Sequence, residues 1–213
     1  LPAASRVFLM LQGPHGPFFH RLGKMLSAAG AEVWRVGFNR GDRAFWPTEA
    51  SYIPFKGTSQ DWPLAFRTVI EQKQITDIVL YGDVRPIHAA ARAAAQDHGL
   101  LLHVFEEGYL RPFWITYERD GSNGHSALMR IPLREMRNAL RNRIGEMNRP
   151  PAHWGDMRQH KFYGALYHFF VLVANQRYPG YRTHRQIGVF QEFRLNLRRF
   201  LLTPFDALAR MRE

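Results

Sequence analysis

The chain has 213 residues, 46% of them hydrophobic and 14% aromatic, a formal charge of +11 and no cysteine. That composition describes a globular protein of one large domain, or one domain with an extension, and excludes a disordered chain. It also excludes disulfide staples and thiolate metal sites, points to a reducing compartment, and leaves no apolar run near the roughly 20 residues a bilayer-spanning helix needs.

The first half alternates strands and helices. RVFLMLQ (6–12) is a continuous apolar run that ends in the turn GPHGPF, and a helix follows over 18–29 with Phe18, Leu22, Met25 and Leu26 on one face. AEVWRVGF (31–38) reads as a second strand, 39–61 as a long polar loop, and WPLAFRTVIEQKQ as a helix with Pro63 in its opening turn. DIVLYG (77–82) is a third strand, Pro86 opens an alanine-rich helix closed by Gly99, and LLLHVFEE is a fourth strand that runs to residue 107. Short continuous apolar strands separated by helices predict a parallel sheet covered on both faces, an α/β fold of the Rossmann-like, doubly wound kind. Ligands in such sheets bind beyond the carboxyl ends of the strands. Those ends here are QGPHGPFF, GFNRGD, YGDVRP and EEGYLRP, the chemically unusual stretches of this half.

Beyond about residue 110 the pattern changes. RPFWITYERDGSNGHSALMR reads as a loop with a short hairpin across RDGSNG, and from 131 onward helices dominate. Met136, Leu140 and Ile144 share a face, with Arg130, Arg134, Arg137 and Arg141 on another. Phe162, Leu166, Phe169, Phe170 and Val173 form a second apolar stripe, and Phe190, Phe193, Leu197, Phe200 and Leu201 a third, whose helix also carries Arg194, Arg198 and Arg199. Two regions are therefore expected: an α/β domain over 1–130, and a basic amphipathic helical region over 131–213 that packs on it or leads into a second domain. Residues 1–129 carry a net charge of +1 and residues 130–213 a net of +10. A surface so charged attracts phosphate, in a nucleotide, an anionic lipid or nucleic acid. Nucleic acid is the disfavoured partner, because no recognised binding motif accompanies the charge.

Each candidate site carries a structural alternative. In QGPHGPFF a helix start offers free N–H groups to an anion, but Pro14 and Pro17 each remove a donor. His15 is the functional candidate there, against a simple rigid turn. Asp83 is a general base, a cap for the helix that Pro86 opens, or a partner of Arg85. Arg85 suits a cleft role, since guanidinium binds carboxylate or phosphate. Glu106 and Glu107 end the fourth strand. One of them buried against Arg85 or Arg111 has a tuned pKa and can exchange a proton in group transfer; the alternative is a structural ion pair. Gly108 would let the chain turn sharply and expose Tyr109. The ten histidines show no ligand spacing, so no metal is expected.

Together LQGPHGPFF, GDVRPIHAAA, VFEEGYLRP followed by WIT, and GSNGHS resemble the capsule polysaccharide biosynthesis/export family, and its single-module, KpsS/LipB-like branch in particular. The resemblance implies a GT-B-like, retaining β-Kdo glycosyltransferase that uses CMP-Kdo and a phosphatidylglycerol-type lipid acceptor at the cytoplasmic face of the inner membrane. Its glutamate-glycine-arginine signature falls on Glu106, Glu107, Gly108, Tyr109 and Arg111. A second element falls on Gly82, Arg85 and Pro86 with one extra residue before the arginine, and a third on Asn123 and Gly124, with Ser126 close by. Glu106 and Glu107 are then the expected catalytic carboxylates. His15, Gly82, Asp83, Arg85, Tyr109, Arg111, Asn123 and Ser126 are the expected substrate contacts. Arg134, Arg137, Arg141, Arg194 and Arg198 are the expected contacts with membrane or acceptor. Such enzymes keep a carboxylate nucleophile in a second Rossmann-like domain, so the chain reads as an N-terminal portion. The alternative is a non-catalytic export or assembly module that docks an anionic membrane or another capsule protein.

Overall fold

The computed structural model describes residues 6–108, 114–141 and 157–182, with single positions between 190 and 202. One six-stranded sheet organises them. Its strands are β1 (Val7–Met10), β2 (Glu32–Gly37), β3 (Tyr52–Pro54), β4 (Asp77–Tyr81), β5 (Leu101–Glu107) and β6 (Ile115–Arg119), in the order β3-β2-β1-β4-β5-β6. The first five run parallel and β6 pairs antiparallel to β5, with Glu106 opposite Thr116. This is the doubly wound α/β order, in which the chain starts in the middle, winds outward one way, then returns to wind the other. The reversal falls between β1 and β4, where the connections leave the sheet in opposite directions and open a crevice.

The helices are α1 (Phe18–Ala28), α2 (Arg40–Ala44), α3 (Trp62–Lys73), α4 (Pro86–His98), α5 (Leu133–Arg141) and α6 (Arg158–Ala174). Prolines open α3 and α4, where the missing N–H is no loss, and Gln74 and Gly99 end them in the left-handed conformation. On one face of the sheet, Leu9, Val36, Ile78, Leu80 and Val104 pack against Phe66, Ile70 and Ala91 of α3 and α4. On the other, Phe8, Met10 and Val79 pack against Phe19 of α1 and Trp46. Both faces of the central strands are thus buried, which explains their unbroken apolar runs.

Three sequence expectations are corrected. Residues 39–61 contain α2 and the edge strand β3, both too short to give a periodic signal. The segment around Trp114 to Arg119 is β6, so the hairpin joins β5 to β6 instead of crossing RDGSNG. In α6 the stripe of Phe162, Leu166, Phe169, Phe170 and Val173 is not the buried face: Phe162, Phe169 and Val173 are exposed and Leu166 and Phe170 half-buried, while Tyr167 and Val171 are buried. Polar demand decides that orientation. The Tyr167 hydroxyl accepts from Gln12 Nε2 (3.2 Å) and Asn39 Nδ2 (2.6 Å) and donates to Asp42 Oδ1 (3.3 Å). A phenol has one donor and two acceptor positions, and all are used. Arg40 N–H also donates to Asn175 at the end of α6, and the Tyr52 and Tyr178 hydroxyls meet at 2.9 Å. Helix α6 is therefore built into the α/β unit, against α2 and the carboxyl ends of the first strands.

Candidate active site

The loop between β4 and α4 carries the centre of the site. Gly82 donates its N–H to the Phe105 carbonyl (2.8 Å), while its own carbonyl accepts from His88 Nδ1 (2.6 Å), a fully buried histidine of α4. That locked turn sends its next two polar side chains in different directions, Asp83 toward β5 and Arg85 toward β1.

Asp83 is buried. It neither caps α4, whose cap residue is Arg85, nor pairs with Arg85. Its carboxylate accepts from Ser122 N–H (3.1 Å) and from His125 Nδ1 (2.9 Å), with Arg92 at 3.7 Å. The bond to His125 fixes the imidazole tautomer: a neutral ring keeps its proton on Nδ1 and its lone pair on Nε2. Beside this cluster, Glu106 Oε2 accepts from Ser122 Oγ (2.9 Å) and Asn123 Nδ2 (2.6 Å). Glu106 is half-buried, and a methyl group on Gly82 would meet its Oε1 at 3.8 Å. Loop 122–125 thus bridges the two carboxylates, with Ser122 touching both.

The Glu106–Glu107 doublet is split by the pleat. Consecutive strand residues point to opposite faces, so only Glu106 shares the side of Val104 and the Asp83 cluster. Glu107 lies on the side of Phe105. Gly108 follows without a positive φ. Its N–H donates to the Trp114 carbonyl (2.9 Å), and a Cβ there would lie 2.5 Å from that oxygen, so close backbone approach is what requires glycine. Tyr109 and Arg111 lie outside the described residues.

Arg85 donates to Gln12 Oε1 (3.0 Å), and the same Gln12 amide donates to Tyr167. Around Arg85 a cleft opens at the carboxyl ends of β1, β2 and β3, lined by Gln12, Phe38, Phe55, Tyr181 and Arg182 among others. Two guanidinium groups and three aromatic rings make a lining suited to a ligand that is both anionic and flat or ring-shaped. Behind it, Asp42 accepts from Phe38 N–H (2.9 Å) and faces Arg35 (3.4 Å). Burial pushes the Asp42 carboxyl above its usual range against the pull of Arg35 and its hydrogen bonds, and burial with the Asp42 charge pushes the Tyr167 phenol well up.

The remaining expected residues fall elsewhere. His15 stacks on Tyr167, with ring centroids 4.4 Å apart, and sits edge-on to His168, so it belongs to the α6 contact. Ser126 is buried; it accepts from Leu128 N–H (3.1 Å) and donates to Glu118, fixing the chain below the loop. Arg134, Arg137 and Arg141 are exposed on α5, and Arg194 and Arg198 are exposed in helical backbone. Sequence reading did not single out Gln12, Ser122, His125, Tyr181 or Arg182. Ser122 and His125 flank the Asn123–Gly124 pair inside a motif already noted, so their signal was present. Gln12 and Arg182 are ordinary residues whose role comes only from what the fold sets beside them.

The model of a family described as capsule polysaccharide biosynthesis protein matches residues 76–207, which include the Asp83, Glu106 and Ser122 segments. The chain is 37% identical over 180 residues to the capsule polysaccharide modification protein LipB of Neisseria meningitidis serogroup B, covering 83% of this chain and 42% of that one. It is 31% identical over 199 residues to the capsule polysaccharide export protein KpsS of Escherichia coli, covering 92% of this chain and 49% of that one. The chain thus spans a little under half the length of these relatives. With the α/β fold and the strand-end site, the match over residues 76–207 places the chain in the capsule polysaccharide biosynthesis protein family.

Proposed function

We propose that this chain supplies the acceptor-side half of a retaining β-Kdo glycosyltransferase, which adds Kdo from CMP-Kdo to a phosphatidylglycerol-type lipid at the cytoplasmic face of the membrane. The observation that carries the reading is Glu106, a half-buried carboxylate at the tip of β5, oriented by Ser122 and Asn123 beside the buried Asp83–His125 pair. Two hydrogen bonds fix Glu106 Oε2, and among the described residues none bonds Oε1, which this reading assigns to a ligand hydroxyl. In the step proposed here, the acceptor oxygen forms its bond to the anomeric carbon of Kdo. Its proton passes to Glu106, while the bond from that carbon to its carboxylate or phosphate leaving group breaks. The nucleophile that would retain configuration belongs to the second domain implied by the resemblance. The Arg85–Arg182 cleft suits the charges of the reaction, since Kdo bears a carboxylate and both CMP and the lipid bear phosphate.

A transfer assay with CMP-Kdo and a lipid acceptor, run on the chain alone and on a form extended past residue 213, tests the reading. Glu106→Gln keeps the size of the side chain and removes its basicity; kcat should fall by about 10²–10⁴-fold with little change in KM. Wild-type transfer by Glu106→Gln would instead favour the non-catalytic export or assembly reading.

A further inference from the structure

Loop 122–125 runs directly into a segment that is largely exposed among the described residues. After Ser126, which anchors the chain to Glu118, comes a 3-10 turn (Ala127–Arg130) and then α5. Helix α5 has no buried residue. The apolar side chains here are among the most exposed in the molecule: Leu128 is 55% exposed, Met129 72%, Leu133 74% and Leu140 73%. The same segment carries Arg130, Arg134, Arg137 and Arg141 against Glu135 as its single acidic residue.

The two chemistries are sorted around the helix. At 3.6 residues per turn, Leu133, Leu140 and Met136 fall within about 60° of one another, and Arg137, Arg141 and Arg134 occupy roughly the next 60°. Glu135 and Asn138 turn away from the apolar face. An apolar strip bordered by arginines, on a helix of low net hydrophobicity, is the pattern of an element that lies in a membrane interface. Its hydrocarbon enters the acyl boundary and its guanidinium groups meet lipid phosphates. The charge selects the occupant. A purely apolar partner surface would leave the arginines idle, and a purely acidic one would leave Leu133 and Leu140 in water.

We infer that residues 128–141 form an interfacial anchor that seats this domain on an anionic lipid surface, with the Asp83–Glu106–Ser122 cluster held next to the headgroups by the short path through Ser126. The inference deepens the proposed function by naming where the lipid side of the reaction is met. Its test contains no sugar donor and so fails or succeeds separately from the transfer reading.

The test is cosedimentation of the 213-residue chain with vesicles of phosphatidylcholine, pure or containing about a third phosphatidylglycerol, at low and at physiological salt. The wild type should bind the mixed vesicles, lose binding as salt rises, and ignore pure phosphatidylcholine. R134Q/R137Q/R141Q should lower the partition coefficient by about a hundredfold, at roughly tenfold or somewhat less per arginine. L133S/L140S should lower it by at least about tenfold. L64S, at an equally exposed leucine on α3 (74%), should leave it unchanged. All the substituted side chains are exposed, so circular dichroism should match the wild type in each case. Absence of wild-type binding, equal binding to both vesicle types, or wild-type binding by either α5 variant would overturn the inference. So would a concentration-dependent dimer that L133S/L140S dissolves while vesicles are ignored, which would make the face a self-association surface.

Discussion

At the scale of single residues, burial alone does not say what a charged side chain is for; its donors do. Asp77 and Asp83 stand at opposite ends of β4 and its exit loop, and both are buried. Asp77 sits at the amino end, where Arg6, Thr76 and His103 all reach it. Burial alone would raise its pKa, but the hydrogen bonds from Arg6, Thr76 and His103 and the Arg6 charge outweigh it, and the carboxyl lies below its ordinary range. A depressed folded pKa contributes stability above the unfolded value, near 3.9, and loses it as pH falls through the folded value. Asp77→Asn should therefore cost about 2 kcal/mol at neutral pH, and urea unfolding should show the gap to wild type closing only below about pH 4. Asp83 has the same burial and a different use, because its donors Ser122 and His125 belong to the strand-end loop. The sequence makes the two aspartates look alike in kind, and only the topology, which sets one at each end of the strand, separates scaffold from candidate site. The Glu106–Glu107 doublet teaches the converse: two adjacent letters that look coupled are divided by the pleat.

At the scale of elements, long periodic segments could be read directly. Strands β1, β2, β4 and β5 and helices α1, α3 and α4 lie where apolar runs and proline or glycine boundaries put them. The elements that could not be read are short or settled by tertiary contact. Strand β3 has three residues and gains its place from pairing with Arg35, Val36 and Gly37 of β2. Strand β6 alternates exposed and half-buried residues on an edge, so its apolar signal is weak. Helix α6 leaves Phe162, Phe169 and Val173 exposed and buries Tyr167, because the Tyr167 hydroxyl serves three buried groups at once. Tyr167→Phe leaves Gln12 Nε2 and Asn39 Nδ2 without that acceptor inside the protein, at about 1–3 kcal/mol for each buried group left unpaired. A lowered urea midpoint, with faster hydrogen exchange in α6 and α2 than in β4, would match that account; an unchanged midpoint would contradict it.

At the scale of the molecule, the doubly wound order was legible, and with it the placement of Asp83, Arg85 and Glu106 at strand ends, because parallel strands and crossover helices admit few arrangements. Helix α6 packs on the α/β part, one of the two alternatives expected for the helical region, and it does so through polar contacts at the sheet's carboxyl edge that no hydropathy pattern encodes. The cleft beside Arg85 depends on that stitching. Its far wall is the segment after α6, and Gly180 there lies so close to Gly57 that an added Cβ would sit 2.0 Å from the Gly57 carbonyl oxygen. Gly180→Ala must push the two loops apart, moving Tyr181 and Arg182 off the cleft. Overpacking of this kind should cost about 1–3 kcal/mol in thermal or urea unfolding, and a neutral substitution would show that the loops do not meet as described. The Gln12 amide gives this geometry a further meaning. One end of it steadies the guanidinium on the near wall, and the other grips the phenol at the root of the far wall. An anion that draws Arg85 toward itself takes a hydrogen bond from the same side chain that tethers α6. The two jaws are thus wired through a single planar group, and a guest touching one is felt by the other.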